Sequence, residues 1–422
     1  MKIYTIEELF KIAKEFSPFY RELYKSVNSF KDISDLPIFD SVCFWKENSI
    51  KNNQVLTSVQ QDGIVFKSGG TTGNPKFSFF TLEEWEIFTL TFGQGMAMGG
   101  LGQGERIANL FYAGDLYASF LFILKSIEKS GTRAIQYPLS GGADFNHIVD
   151  TINSFEIETW AGVPTTIMKL TEYAQKNQLL APKKILFGGE SLYQDQIEFI
   201  KDVFPDAHVQ SIGYASVDGG LLGFADSSCL LQEHRVFSDH TIIEILDEDT
   251  LEPINDVNRS GKMFLTNLTR SLMPIIRYPV GDKAMWIEDQ SQERYRKFKI
   301  LGRSEEGARV GPATIFYEDI SKLLYKFHNQ IHIKGFQVRL AHFDNRDQLI
   351  IRIAAQSNQD THETQLKLKK LIVNCIYEER GLIKNLVSDN LIHPIETEFV
   401  DMAALETNER TGKLKRIIDI RN

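Results

Sequence analysis

Residues 67–76 read Lys67-Ser68-Gly69-Gly70-Thr71-Thr72-Gly73-Asn74-Pro75-Lys76. Gly69, Gly70 and Gly73 let the backbone turn tightly and aim its N–H groups at an anion. Ser68, Thr71 and Thr72 add hydroxyl donors and Lys76 a cation, so the segment can hold a polyphosphate. It is not a Walker A loop, because no Gly-Lys-Ser/Thr follows at the spacing that opens a helix. By composition alone an ordinary Gly/Thr turn between strands accounts for it equally well. The order of the residues carries the distinction.

Such a loop needs a scaffold, and 422 residues are more than most single cores carry, so two or more domains are expected. Lys and Arg total 47 against 56 Asp and Glu, and the net charge of −9 argues against a general nucleic-acid binder, which needs a basic face. A polyphosphate must then be held by local donors and not by a global field. With 42% hydrophobic residues, 11% aromatics and 29 Phe, the chain can build a packed core and is neither disordered nor fibrous. Cys43, Cys229 and Cys375 are too few and scattered for a disulfide framework, which points to a reducing compartment. Thr5-Ile6-Glu7-Glu8 is a capping-box pattern opening an amphipathic run through Leu9, Phe10, Ile12, Ala13 and Phe16. The N-terminus therefore reads as a folded helix and not as a signal peptide. The longest apolar-to-small run, Leu116 to Leu124, is far short of the roughly 20 residues that span a bilayer. A soluble, cytoplasmic protein with no membrane span is expected.

Up to about residue 300, β-like runs at 106–112, 133–137, 159–163, 184–187 and 207–212 alternate with helical stretches, which predicts a mostly parallel, layered α/β core. Residues 241–286 are denser in short β runs (241–246, 262–267) and read as a β-rich subdomain. After Gly302-Arg303 the pattern changes at the charged Ser304-Glu305-Glu306-Gly307. Beyond lie β-like runs at 332–340, 349–354 and 396–400, and a helix carrying Leu368, Leu371, Ile372, Cys375 and Ile376 on one face. The expected fold class is α/β. A large layered N-terminal domain (1–303), with mixed sheets and a β-rich subdomain, precedes a small mobile α+β C-terminal domain (304–422), hinged at 304–307.

In order as well as composition, Ser68 to Lys76 closely resembles the phosphate-binding signature of the adenylate-forming enzymes, the superfamily of acyl-CoA synthetases, luciferases and peptide-synthetase adenylation domains. Further motifs answer in family order. Gly188-Gly189-Glu190 follows the run 184–187, and the resemblance implies that Gly189 and Glu190 belong to a strand-end loop against adenine. Gly213-Tyr214-Ala215-Ser216-Val217-Asp218 looks like the family's Tyr-Gly-x-Thr-Glu, which implies Tyr214 against adenine, Ser216 on phosphate and Asp218 on Mg²⁺. Ala215 and Asp218 depart from that pattern, but Asp, one methylene shorter than Glu, is still a hard oxygen ligand. Arg277-Tyr278-Pro279-Val280-Gly281-Asp282 resembles Tyr-Arg-Thr-Gly-Asp, implying that Asp282 accepts from ribose hydroxyls. Leu301-Gly302-Arg303 matches the Gly-Arg that closes the large domain, with Arg303 near ribose and phosphate. Arg410-Thr411-Gly412-Lys413-Leu414-Lys415-Arg416 is similar to the C-terminal Gly-Lys element, which implies that Lys413 is the catalytic lysine. Singly, Asp282 reads as a turn acid, Arg303 as a surface charge and Lys413 as a solvated tail lysine. The order of the motifs from Ser68 to Lys413 argues against these alternatives taken together.

The early phosphate loop, with Phe16-Ser17-Pro18-Phe19-Tyr20-Arg21-Glu22 and Ile33-Ser34-Asp35-Leu36-Pro37-Ile38, is similar to the phenylacetate-CoA ligase branch, whose N-terminus is trimmed. That resemblance implies ATP-dependent activation of a carboxylic acid as an acyl-adenylate, with pyrophosphate release, and then thioester formation with coenzyme A. Carboxylate and α-phosphate are both anions, so Mg²⁺ on Asp218, the loop donors and Lys413 would neutralise charge. The small domain would then rotate about Ser304 or Glu305 to admit the thiol, so that Lys413 serves only the first half-reaction. Acyl-protein synthetases look similar at these motifs, which leaves open a phosphopantetheinyl carrier-protein or protein thiol as acceptor. Ala215 and Asp218 also leave open a degenerate nucleotide-binding module. Residues 306–316 occupy the place of the family's second-conformation loop without its Lys-x-x-Gly spacing or Asn-x-x-Pro ending, so the resemblance supports adenylation by more motifs than the thiol step. By position in the family, Tyr112, Ala161, Gly189 and Gly213 line an acid pocket, and an aromatic lining would favour an aryl or medium apolar acid. Aromatics after strands are, on the other hand, ordinarily core. Cys229, His234 and His240 fall where some members of the branch carry a structural zinc, but their irregular spacing is a weak ligand set, and polar surface is the readier account. The partners expected are ATP, a small carboxylic acid and coenzyme A or a carrier protein, without nucleic acid, and self-assembly is left open.

Overall fold

A computed structural model of the chain describes residues 2–68, 76–290, 294–303, 307–310, 313–344, 346–357, 362–409 and 411–421. Five strands, Ile135–Tyr137, Arg106–Leu110, Thr159–Gly162, Lys184–Phe187 and His208–Ser211, lie in that spatial order and all run parallel. Helices Ser119–Lys129, Phe145–Ser154, Pro164–Ala174 and Gln194–Val203 make the crossovers between them. Thr159–Gly162 is buried along its whole length, which is why such strands read as unbroken apolar runs and not as alternation. From Arg106–Leu110 the chain goes first to the neighbour on one side and later to the neighbour on the other. The loops after Leu110 and Gly162 therefore diverge, and they leave a crevice at the carboxyl edge of the sheet.

The β-rich stretch forms three strands at one edge of a seven-stranded antiparallel sheet, ordered Thr241–Leu246, Ser260–Asn267, Ile275–Trp286, Lys297–Arg303, Glu233–Val236, Gly220–Phe224, Tyr214–Ser216. Helix Ile6–Phe16 starts at Thr5 with the capping box its sequence predicts, though Phe16 is 52% exposed. Phe10, Tyr20, Tyr24, Phe39 and Phe44 pack against Ile245, Leu265, Ile275 and Phe298 of this sheet. Helix Leu82–Met98 packs against residues of both sheets through Phe88, Phe92 and Met96. Ring pairs such as Phe88–Phe122 (4.4 Å) and Phe92–Phe122 (4.7 Å) account for much of the Phe content.

From Gly307 the chain forms a hairpin, Gly307–Val310 with Ala313–Phe316, and a four-stranded sheet ordered Glu396–Val400, Arg346–Ser357, Ile331–Phe343, Ile417–Asp419. Its buried core, Ala308 to Ile395, comes from this segment alone. In helix His362–Glu379, Leu368, Ile372 and Ile376 are buried but Leu371 is 42% exposed, contrary to the expected face. The buried positions sweep one way round the helix from Leu368, and Leu371 lies about 60° the other way, outside the packed stripe.

Candidate active site

The loops at the carboxyl edge of the parallel sheet carry Tyr112, then Gly189 and Glu190, then Gly213, with Ala161 on the strand Thr159–Gly162 itself. Into this edge the C-terminal segment sends a tight hairpin in which Thr407 bridges Leu414. Asn408 N donates to Lys413 O (2.8 Å) and Gly412 N to Asn408 O (2.7 Å). Buried Gln337 donates to the carbonyls of Glu406 (2.7 Å) and Lys415 (2.8 Å), which fastens the hairpin base to the small sheet. At the tip Gly412 has φ +66°, and a Cβ there would lie 1.9 Å from carbons of the Tyr112 ring. The Lys413 side chain reaches Gly189, where φ is +79° and a Cβ would lie 3.3 Å from Cε and 3.5 Å from Nζ. Among the described residues no carboxylate pairs with Lys413 Nζ.

Glu190 lies beside this tip. Its Oε2 accepts from Thr165 N (3.0 Å) and Thr165 Oγ1 (2.8 Å), and its Oε1 accepts from Leu414 N. Helix Pro164–Ala174 starts after Val163, whose side chain cannot cap, and Glu190 supplies the acceptor that its first turn needs.

The second half of the site is built on hairpin Ile64–Ser68 with Lys76–Phe80, in which Ser68 and Lys76 are paired. Gly69, Gly70, Thr71, Thr72 and Gly73 lie outside the described residues. Ser68 Oγ donates to Asp218 Oδ1 (2.7 Å), Tyr278 OH to Asp218 Oδ2 (3.4 Å), and Lys76 Nζ stands 3.6 Å from the same Oδ2. Lys76 Nζ also lies over the Trp45 ring (5.2 Å), and Trp45 Nε1 donates to Tyr278 OH (3.1 Å). Arg270, 1% exposed, donates to Asp218 O and Phe79 O (2.9 Å each) and so ties the Asp218 turn to the hairpin. Burial brings its pKa down to about 10, with Glu84 and Asp218 opposing. Ser216 Oγ accepts from Gly219 N (2.9 Å) and shapes that same turn. Tyr214 OH donates to Asp282, which is paired across strands with Arg303, whose side chain lies outside the described residues. The fold thus brings Ser68, Lys76 and Asp218 together. Asp218 with the Ser68 and Tyr278 hydroxyls suits Mg²⁺, which takes one or two carboxylates and otherwise phosphates and water. Sequence reasoning assigns no role to Thr165, Trp45, Arg270 or Tyr278. Tyr278 at least sat inside a quoted motif, whereas Trp45 and Arg270 carry no local signal.

The residues considered for zinc do not fit that metal. His234 is in strand Glu233–Val236, not a loop, and is 4% exposed, with Nε2 2.9 Å from Ser211 Oγ. Burial brings its pKa down to about 4. Burial pushes the Cys229 thiol up to about 11, the opposite of a thiolate ligand. His240 Nε2 sits 3.3 Å from Thr91 Oγ1, and among the described residues no three His, Cys, Asp or Glu gather as a metal site. Ala161 is fully buried, and a Cβ on Gly213 would lie 2.8 Å from the Phe92 ring.

Helix Gln194–Val203 seats the C-terminal segment. Gln196 Nε2 donates to Lys334 O (2.8 Å), Tyr193 OH to Glu318 Oε2 (3.1 Å), and Lys334 Nζ pairs with Glu172 (2.7 Å). On the same helix Asp195 is 7% exposed, and burial pushes its pKa up to about 7, with Gln196 N opposing. The folded protein keeps a proton that the unfolded chain releases near pH 4, so Asp195 costs increasing stability as pH rises from about 4 to 7. Buried His234 acts the other way in an overlapping window. The expected result is therefore a difference: the Tm of Asp195→Asn should gain on wild type steadily between pH 4 and 7 in thermal melts. A constant offset would show that Asp195 does not titrate there.

No protein-family profile matches the chain. The phenylacetate-CoA ligase of Thermus thermophilus is 22% identical over 99% of this chain and 95% of its own length. The crystal structure of 2-hydroxyisobutyryl-CoA ligase in the postadenylation state, with an acyl-AMP bound, superposes with a TM-score of 0.76 at 16% identity, covering 98% of this chain and 89% of that one. The chain is thus similar over nearly its whole length to phenylacetate-CoA ligases, and it shares the fold of adenylate-forming enzymes. The indoleacetate–lysine synthetase of Pseudomonas savastanoi is 27% identical over 59% of each chain. Against the thioesterification state of 2-hydroxyisobutyryl-CoA ligase, with coenzyme A, the TM-score falls to 0.62 at 16% identity, with 99% and 88% covered. The chain thus superposes more closely on the postadenylation structure than on the thioesterification one.

Proposed function

We propose that this chain is an AMP-forming acid–thiol ligase that activates a carboxylic acid with ATP and transfers the acyl group to the thiol of coenzyme A. What supports it most is the placement of Lys413 against Gly189, at the crevice of the parallel sheet and without a carboxylate partner among the described residues. A carboxylate oxygen attacks the α-phosphorus, the α–β phosphoanhydride bond breaks, and pyrophosphate leaves. The loop from Ser68 to Lys76 holds the polyphosphate, and Ser216 and Lys413 add donors to the phosphate groups. Mg²⁺ at Asp218 supplies screening of the triphosphate charge. Gly189 and Tyr214 flank adenine, while Asp282 and Arg303 serve the ribose. An aryl or medium apolar acid suits Tyr112, the half-buried ring at this edge, whereas Phe92 and Phe111 belong to the core.

In the second step the thiol sulfur attacks the acyl carbon, its proton is lost and AMP leaves, so the Lys413 hairpin must withdraw to admit it. Two units, 1–303 and 304–422, would allow this. The core Ala308 to Ile395, whose buried members all follow residue 307, supports the division, although Tyr193 packs against it and Ala354, Met402 and Leu405 are buried with the parallel-sheet layer; residues 304–306 of the joint lie outside those described.

Acid-dependent exchange of pyrophosphate into ATP tests the first half, and product mass with coenzyme A tests the second. Exchange without any coenzyme A thioester would move the acceptor to a carrier-protein thiol or an amine. No exchange across a broad panel of acids would sink the reading. The tip geometry adds a test. Gly412→Ala forces a Cβ onto Tyr112 and strains φ +66°, and a catalytic group displaced by about 1 Å loses up to roughly 100-fold in rate. Exchange should fall by that order while thioester formation from supplied acyl-adenylate persists. Unchanged exchange would show that the tip is not held as described.

A further inference from the structure

The carboxylate of Glu190 has two distinct attachments. One oxygen takes both donors of Thr165 at the start of helix Pro164–Ala174 (3.0 and 2.8 Å), within the parallel-sheet layer. The other takes the amide of Leu414, the residue after Lys413, from the C-terminal segment. Burial, with a smaller contribution from the charge of Glu190, holds the hydroxyl of Tyr112, against which Gly412 packs, above its usual pKa. Neither oxygen is directed at a nucleotide by these contacts. From this geometry we infer that Glu190 is a positioning residue that latches the Lys413 hairpin in the adenylation arrangement. The inference rests on the acid–thiol ligase reading above.

The chemistry of the latch suits a contact that must open once per turnover. When the hairpin withdraws, the oxygen shared with Thr165 stays paired at the helix N-terminus, where a negative charge is favoured, and only the other oxygen passes to water. The loop from Gly188 therefore keeps its shape in both states and the latch can re-form. The rest of the seat, namely Gln196 with Lys334 O, Lys334 with Glu172 and Tyr193 with Glu318, does not involve Glu190. Loss of the carboxylate should loosen the tip without undocking the segment.

Glu190→Ala separates this role from a nucleotide contact. The kcat of pyrophosphate exchange should fall roughly 10- to 100-fold, the scale of one charge-assisted hydrogen bond and a misplaced catalytic group, with KM for ATP within about twofold. Thioester formation from supplied acyl-adenylate should stay within about twofold, because that step needs the hairpin withdrawn. A raised KM for ATP with kcat intact would make Glu190 a nucleotide ligand instead, and an equal fall of both half-reactions would make it a structural support of its loop. Amide hydrogen exchange at 411–414 is the measurement that does not depend on activity. It should accelerate in Glu190→Ala and in the milder Thr165→Val, and unchanged protection in both overturns the latch. Absence of exchange activity in wild type, with the hydrogen-exchange result as expected, would remove the ligase reading alone.

Discussion

Lys413→Ala is expected to lower the kcat of acid-dependent pyrophosphate exchange by roughly 100- to 1,000-fold, the usual cost of removing one preorganised donor to developing charge. Two anions must meet in that step, and Lys413 Nζ is the cation that the C-terminal hairpin delivers to the crevice beside Gly189. The Gly412 contact with Tyr112, the Asn408 bonds and the Gln337 clasp hold the hairpin without the lysine side chain, so the variant should fold and keep its KM for ATP within about threefold. Thioester formation from supplied acyl-adenylate should survive, which makes single-turnover assays of each half-reaction the decisive measurement. Exchange that persists near wild-type rate would remove Lys413 from the first step.

Asp218→Ala should cost roughly 100-fold or more in kcat/KM for ATP, on the scale of losing a charged ligand to the triphosphate site, and should raise the Mg²⁺ concentration needed for half-maximal exchange. The loss has a second component. Ser68 Oγ, Tyr278 OH and Lys76 Nζ all converge on this carboxylate, so its removal leaves the phosphate hairpin without its anchor. Asp218→Glu separates the two effects. It keeps the hard oxygen but lengthens the side chain by one methylene inside a tight set of partners, and exchange should recover to within about tenfold of wild type. If Asp218→Ala titrates with Mg²⁺ as wild type does, Asp218 anchors the phosphate hairpin and is not a metal ligand. If all three proteins lack exchange, the degenerate nucleotide-binding reading gains.

Much of the architecture was legible because each signal was local. Apolar runs at 184–187 and 159–163 report strands buried on both faces, and Thr5 with Glu8 reports a helix start. Signals that depend on what lies across a cleft were not. Residues 241–286 read as a β-rich subdomain of their own extent because nothing in them shows that Tyr214–Ser216 and Lys297–Arg303 complete their sheet. His234 read as loop polarity because its burial depends on Phe298 and Ser211. Leu371 read as core because helical spacing does not say how wide the packed stripe is.

By itself the sequence determined the order of the motifs from Ser68 to Lys413, and with it the class of chemistry, because residue type and spacing along the chain suffice for that. The tertiary structure alone decided which of these residues meet. Ser68 joins Asp218 across 150 positions and Leu414 joins Glu190 across 224, contacts that arise only when two sheets and a C-terminal hairpin close on one edge. It also showed where the Glu190 carboxylate is held, at the N-terminus of helix Pro164–Ala174, a contact that the motif order does not show. A buried helix start without a capping side chain draws in the carboxylate within reach, and no sequence neighbour of Val163 could have supplied it.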